Sequence, residues 1–226
     1  EGKEAFHVKG PFDLDKDKAS ECLILNSEDY SILFVEINSS GVNDTIWSYR
    51  FENEITIADG DFIDLDNDGV LELIIIPNII NVDKDSPWLY VFRGSSSIFI
   101  NEPLVYTAAP LSLTAIRPSS LTILNDPSSP LGVCFASPVR KGMIFNLQIT
   151  EGQLKLINPR LLSNSSNNNG YGAIQMSSFS SNKRNYISIL SVEKDSLHTT
   201  IFDAEDNYNL LQSKSISFNS LPLNLN

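Results

Sequence analysis

Asp64-Leu-Asp-Asn-Asp-Gly-Val-Leu-Glu-Leu-Ile-Ile-Ile76 places acids at its first, third, fifth and ninth positions, then runs straight into an apolar strand. Asp13-Leu-Asp-Lys-Asp-Lys-Ala-Ser-Glu-Cys-Leu-Ile-Leu25 matches it position for position, with the same acidic places, 51 residues earlier (position 13 against position 64). Two degenerate copies keep the loop-then-strand order without the acids. One is Asn125-Asp-Pro-Ser-Ser-Pro-Leu-Gly-Val-Cys-Phe135, with Pro138 where the second copy has Pro77. The other is Ser178-Phe-Ser-Ser-Asn-Lys-Arg-Asn-Tyr-Ile-Ser-Ile-Leu190. The closing residues Pro222-Leu-Asn-Leu-Asn226 resemble Pro11-Phe-Asp-Leu-Asp15 and read either as a truncated fifth copy, its loop starting at 224, or as an ordinary Asn-rich tail.

Strand signals fill the spaces between these loops. Tyr30–Ile37 and Leu71–Ile76 are short, β-rich and bounded by turn residues. The period of two puts Trp47, Tyr49 and Phe51 on one face. It does the same for Trp88, Tyr90 and Phe92, and for Met143, Phe145, Leu147 and Ile149. No segment sustains the three-and-four spacing of a helix. A repeat near 50 residues that holds about four short strands is a propeller blade, and a blade needs neighbours to cover both faces of its sheet. The expected fold is therefore all-β: a β-propeller of about four blades, each of four antiparallel strands, spanning residues 1–226 as one propeller or as part of a larger one. A chain that opens on Glu1 and closes inside a fifth copy is expected to belong to a longer protein with further blades or domains.

The bulk properties narrow the function. Of 226 residues, 42% are hydrophobic and 19% charged, a globular balance, and the net charge is −12. That charge argues against nucleic acid or anionic lipid as a partner, since each requires a basic face. No apolar run approaches the ~20 residues of a spanning helix, so no membrane insertion is expected.

The acids concentrate in the two loops, and their spacing has a chemical purpose. A hard cation such as calcium takes 6–8 oxygen ligands. In a tight loop the alternate side chains Asp64, Asp66 and Asp68 can converge, Gly69 lets the backbone turn, the Val70 carbonyl can face the ion, and Glu72 returns as the last carboxylate. Asp13, Asp15, Asp17, Ala19 and Glu21 hold the same places in the first copy. Crowded carboxylates repel unless a cation neutralises them. An EF-hand is excluded, because it needs a carboxylate at position 12, where Ile75 stands. The third and fourth copies are too poor in charge and are expected to be metal-free.

Ala58-Asp-Gly-Asp-Phe62 followed by Asp64-x-Asp66-x-Asp68-Gly69-x-x-Glu72-Leu73 resembles the FG-GAP or VCBS-type repeat, the blade of integrin-α-like propellers. The resemblance implies calcium in the hairpin loop between a blade's first two strands. The first copy departs from the pattern at Lys18, which stands where glycine is usual and would need a left-handed turn.

Other features carry little chemistry. Cys22 and Cys134 sit in equivalent strands two blades apart, so two buried free thiols are expected rather than a disulfide. His7 and His198 are the only histidines, and nothing in the sequence sets either beside a nucleophile and an acid. Trp47 and Trp88 read as core residues before they read as a sugar platform. The expected function is non-catalytic: a calcium-stabilised platform, with one ion and a possible second, for a protein or glycan ligand outside the cell, at its surface, or in the periplasm. The alternative is the propeller of a larger polysaccharide lyase or hydrolase with its catalytic residues elsewhere.

Overall fold

A computed structural model of the chain describes residues 6–14, 17–38, 40, 43–52, 55–77, 87–95, 98–107, 120–124, 132–136, 143–162, 171–193 and 196–217. Among these every regular element is a strand, and none is a helix. The strands form four antiparallel sheets of four, each with its strands in chain order. The first sheet contains β1 (Phe6–Phe12), β2 (Ser20–Asn26), β3 (Ser31–Ile37) and β4 (Asn43–Arg50). The second contains β5 (Ile57–Ile63), β6 (Glu72–Pro77), β7 (Leu89–Phe92) and β10 (Leu104–Tyr106). A small hairpin, β8 (Gly94–Ser95) and β9 (Ile98–Phe99), is inserted between the last two. The third sheet contains β11 (Ser120–Leu124), β12 (Gly132–Ala136), β13 (Met143–Thr150) and β14 (Gln153–Leu161). The fourth contains β15 (Tyr171–Ser181), β16 (Arg184–Glu193), β17 (Ser196–Asp203) and β18 (Asn209–Ser217).

The chain divides into two compact units, one of Glu1–Ile79 with Asp85–Ala108, the other of Ile80–Lys84 with Ala109–Asn226. In the first unit two sheets share one core. Alternation along β2, β3 and β4 points Leu23, Leu25, Ile32, Phe34 and Trp47 to the same side, where they meet Leu73, Ile75, Tyr90 and Phe92 of the second sheet. The expected row Trp47, Tyr49 and Phe51 packs edge-on against Phe92 and Tyr90, with centroids 4.7–5.3 Å apart. Trp47 is buried, and its Nε1 donates to Asn101 Oδ1 at 2.7 Å. Trp88 is buried as well, so neither indole offers a flat exposed surface to a sugar. In the second unit Met176, Ile187, Ile189 and Phe202 pack with Leu124 and Leu162. Strand β13 covers the expected segment, with a register shift between Ile144 and Asn146 in its pairing with β14.

Cys22 is a free cysteine, half-buried where full burial was expected, because it faces away from the shared core. Its counterpart Cys134 lies in β12, also the second strand of its sheet; its side chain is outside the described residues.

The loops that start at 13 and 64 join the first strand of a sheet to the second. Residues 125–131, between β11 and β12, are outside the described residues, as are 218–226 with the expected fifth copy. The fourth copy differs from expectation. Residues 178–181 are strand, not loop, and only Asn182 and Lys183 turn, both at positive φ (52° and 64°). A two-residue turn with both residues left-handed matches the right-handed twist of its flanking strands, so nothing longer is needed there.

Candidate metal centre

Each acidic loop is built by the backbone that carries it. In the second, Glu72 opens β6, and its pairing with Ile63 closes the hairpin neck. Its carboxylate folds back to accept the Leu65 N–H at 2.7 Å through Oε2. Asp64 accepts from the Asp68 N–H at 3.1 Å and from the Gly69 N–H at 2.9 Å, and Asp68 accepts from the Val70 N–H at 2.8 Å. Gly69 sits at φ 87°, left-handed backbone that a residue without Cβ adopts freely.

The first loop repeats this pattern. Glu21 accepts from the Leu14 N–H at 2.8 Å, Asp13 from the Lys18 N–H at 3.4 Å, and Asp17 from the Ala19 N–H at 2.6 Å. Glu21 pairs with Phe12 as Glu72 pairs with Ile63. Lys18 takes the glycine conformation, at φ 75°, and its bond to Asp13 is the longest of the set. A side chain held left-handed costs roughly 1–2 kcal/mol. Lys18→Gly should therefore stabilise the chain by about 1 kcal/mol, read as a higher urea midpoint at unchanged slope.

Two carboxylate groups converge. One oxygen from each of Asp64, Asp66 and Glu72 lies within 4.8 Å of the others, and the same holds for Asp13, Asp17 and Glu21. In each group the glutamate is buried, at 3% and 1% exposure. Asp68 is not among the three converging side chains of its loop, whereas its counterpart Asp17 is, although each accepts the N–H two residues on; Asp15, the counterpart of Asp66, is outside the described residues. Val70 and Ala19, expected to lend carbonyls, occupy matching places where each loop re-enters its sheet. Burial pushes the Glu72 carboxyl up from 4.5 to about 7. The Leu65 N–H opposes that rise, while Asp66, Asp68 and Asp64 add to it. An oxygen-only donor set suits a hard cation rather than a soft one. Both clusters can hold a metal ion.

A second charged group was not legible as such. Lys9 of β1 reaches Asp59 of β5 at 2.8 Å and Asp61 at 4.0 Å. His7 Nδ1 lies 3.7 Å from the same Asp59, which is 3% exposed. Asp61 is pushed up, chiefly by burial, with Lys9 pulling the other way. The sequence displayed Asp59 and Asp61 only as part of a motif; their partner Lys9 lies a whole sheet away in the chain.

No family model matches the chain, and no curated protein matches its sequence. Among solved structures it is similar to the Dos1 propeller, at 12% sequence identity and a TM-score of 0.51. The match covers 86% of this chain and 45% of that one, so the chain spans just under half of the structure it resembles. Together with the four meander sheets, this likeness identifies the fold as a β-propeller.

Proposed function

We propose that the chain is a calcium-stabilised β-propeller module of the FG-GAP or VCBS kind, a non-catalytic platform for a protein or glycan ligand in a calcium-rich setting outside the cell, at its surface or in the periplasm. The observation that carries the metal part is the duplication. Two loops 51 residues apart, at positions 13 and 64, share three backbone-to-carboxylate bonds, and each gathers three carboxylates, from the first, fifth and ninth positions in one (Asp13, Asp17, Glu21) and the first, third and ninth in the other (Asp64, Asp66, Glu72). Solvated acidic turns need not share one geometry, whereas a shared ligand requires it. Calcium is the hard divalent cation that tolerates irregular oxygen cages, and such loops keep only as much of it as their surroundings supply. The propeller fold supports the platform role.

Isothermal titration of the metal-free chain with calcium tests the reading. One or two ions per chain are expected, with Asp64→Asn and Asp13→Asn each removing one class of site. A chain that takes up no calcium at millimolar concentration contradicts the proposal.

A further inference from the structure

A blade inside a propeller is covered on both faces, and the second sheet shows the sequence that this requires. Leu73 and Ile75, with Phe92 and Tyr90 opposite them in the ladder, meet the first sheet. Ile74, Ile76 and Val91, on the reverse face, are also 0% exposed.

The first sheet has the same two-faced composition. Leu23 and Leu25 face the shared core. Cys22 and Ile24, which stand 51 residues before Leu73 and Ile75, lie on the reverse face. Val8 and Leu33 flank Ile24 there in register. Val8 is 56% exposed, and Cys22, Ile24 and Leu33 are half-buried. An antiparallel sheet face that belongs to water carries polar residues, and this row does not. It is the equivalent of the face by which the second sheet packs on the first, so the repeat builds it to meet a blade.

The fourth sheet carries the complementary kind of face. Its Ile187 and Ile189 pack with Leu124 and Leu162 of the sheet before it, as Leu73 and Ile75 pack with the first sheet. Its reverse face therefore corresponds to the Leu23–Leu25 face of the first sheet. Alternation puts Tyr186, Leu190 and Ile201 there, all half-buried. Phe179 stacks on Tyr186 with centroids 5.2 Å apart and is 42% exposed, and Ile216, opposite Leu197, is 49% exposed.

We propose that copies of this chain associate head to tail, the reverse face of the fourth sheet in one copy docking on the reverse face of the first sheet in another. The contact repeats between copies the heterologous packing that the first and second sheets make within one. The likeness to a solved propeller favours a second copy as the occupant. It covers 86% of this chain and 45% of that one, so a propeller of that size takes two chains' worth of blades. The inference rests on the propeller fold and is independent of the cation reading.

Sedimentation equilibrium of the chain tests the association. The mean mass should rise with concentration toward twice that of one chain. Val8→Glu and Phe179→Glu, both at exposed positions, should each weaken association about tenfold or more. An equimolar mixture of the two variants should recover a one-to-one complex, because each keeps the face that the other has lost. In the unsubstituted chain, hydroxyl-radical labelling of Cys22 and of Phe179 should fall several-fold between dilute and concentrated solution. A chain that stays monomeric at hundreds of micromolar overturns the proposal and leaves both faces to blades of a longer polypeptide. Association that survives Phe179→Glu but not Val8→Glu also overturns it, since it marks a contact of the first sheet with itself. Labelling that falls at one of the two residues alone, or at neither, overturns it even where the variants fail to fold.

Discussion

Calcium should raise the melting temperature of the metal-free chain by roughly 5–10 °C, since a ligand at a hundred times its dissociation constant adds about 2.7 kcal/mol and a chain of this size moves about 2–4 °C per kcal/mol. The stabilisation arises because the native loop binds the ion and the unfolded chain, with its carboxylates dispersed, does not. Two local features make the loop dependent on it. The segment 66–71 is exposed and makes no core of its own. Its buried anchor Glu72 sits among carboxylates. Chelation followed by a differential scan gives the difference directly. Asp66→Ala should remove most of it, because Asp66 is one of the three converging oxygens and is itself exposed, so its loss leaves no hole.

Glu72→Gln should act in opposite directions on the metal-free and calcium-loaded chains. The carboxyl is held at about 7 in the folded state against 4.5 when free. The folded chain therefore keeps a proton that the unfolded chain has released. For the metal-free protein, this group's contribution is fully present below about pH 4.5 and is lost as pH rises to about 7. Above that, ionised Glu72 destabilises the metal-free fold by roughly 3 kcal/mol at most. Glutamine removes the charge but keeps an oxygen for the Leu65 N–H. At pH 8 the metal-free variant should thus be more stable than its parent by about 1–3 kcal/mol, with little difference at pH 4.5. With calcium present the order should reverse, because one of three anionic ligands is gone. Urea titrations at both pH values, with calcium or chelator, check all four combinations. A variant weaker than its parent under every condition would mean that Glu72 serves packing alone.

Much of this was legible because the signals are local. The acid spacing 64, 66, 68 and 72, followed by Leu73–Ile76, fixes a hairpin loop and the strand that follows it. Its duplicate at 13–25 fixes the period, and the period fixes the sheet. The alternation of Trp47, Tyr49 and Phe51 was readable because one face of β4 meets the core. What escaped was either degenerate or non-local. The turn at Asn182–Lys183 was hidden in a longer, acid-free loop read from 178 because only its position in the repeat was visible, not the twist that makes two residues sufficient. The register shift between Ile144 and Asn146 leaves no mark in a hydrophobic pattern. The pairing of Lys9 with Asp59 joins residues whose proximity only the packing of strands creates.

Crystals grown in calcium and measured for anomalous scattering probe the claim at its root. A peak is expected between the carboxylates of Asp64, Asp66 and Glu72, with their oxygens and the Val70 carbonyl at about 2.3–2.6 Å from it. An ordered loop at millimolar calcium with water alone among those three side chains would contradict the account.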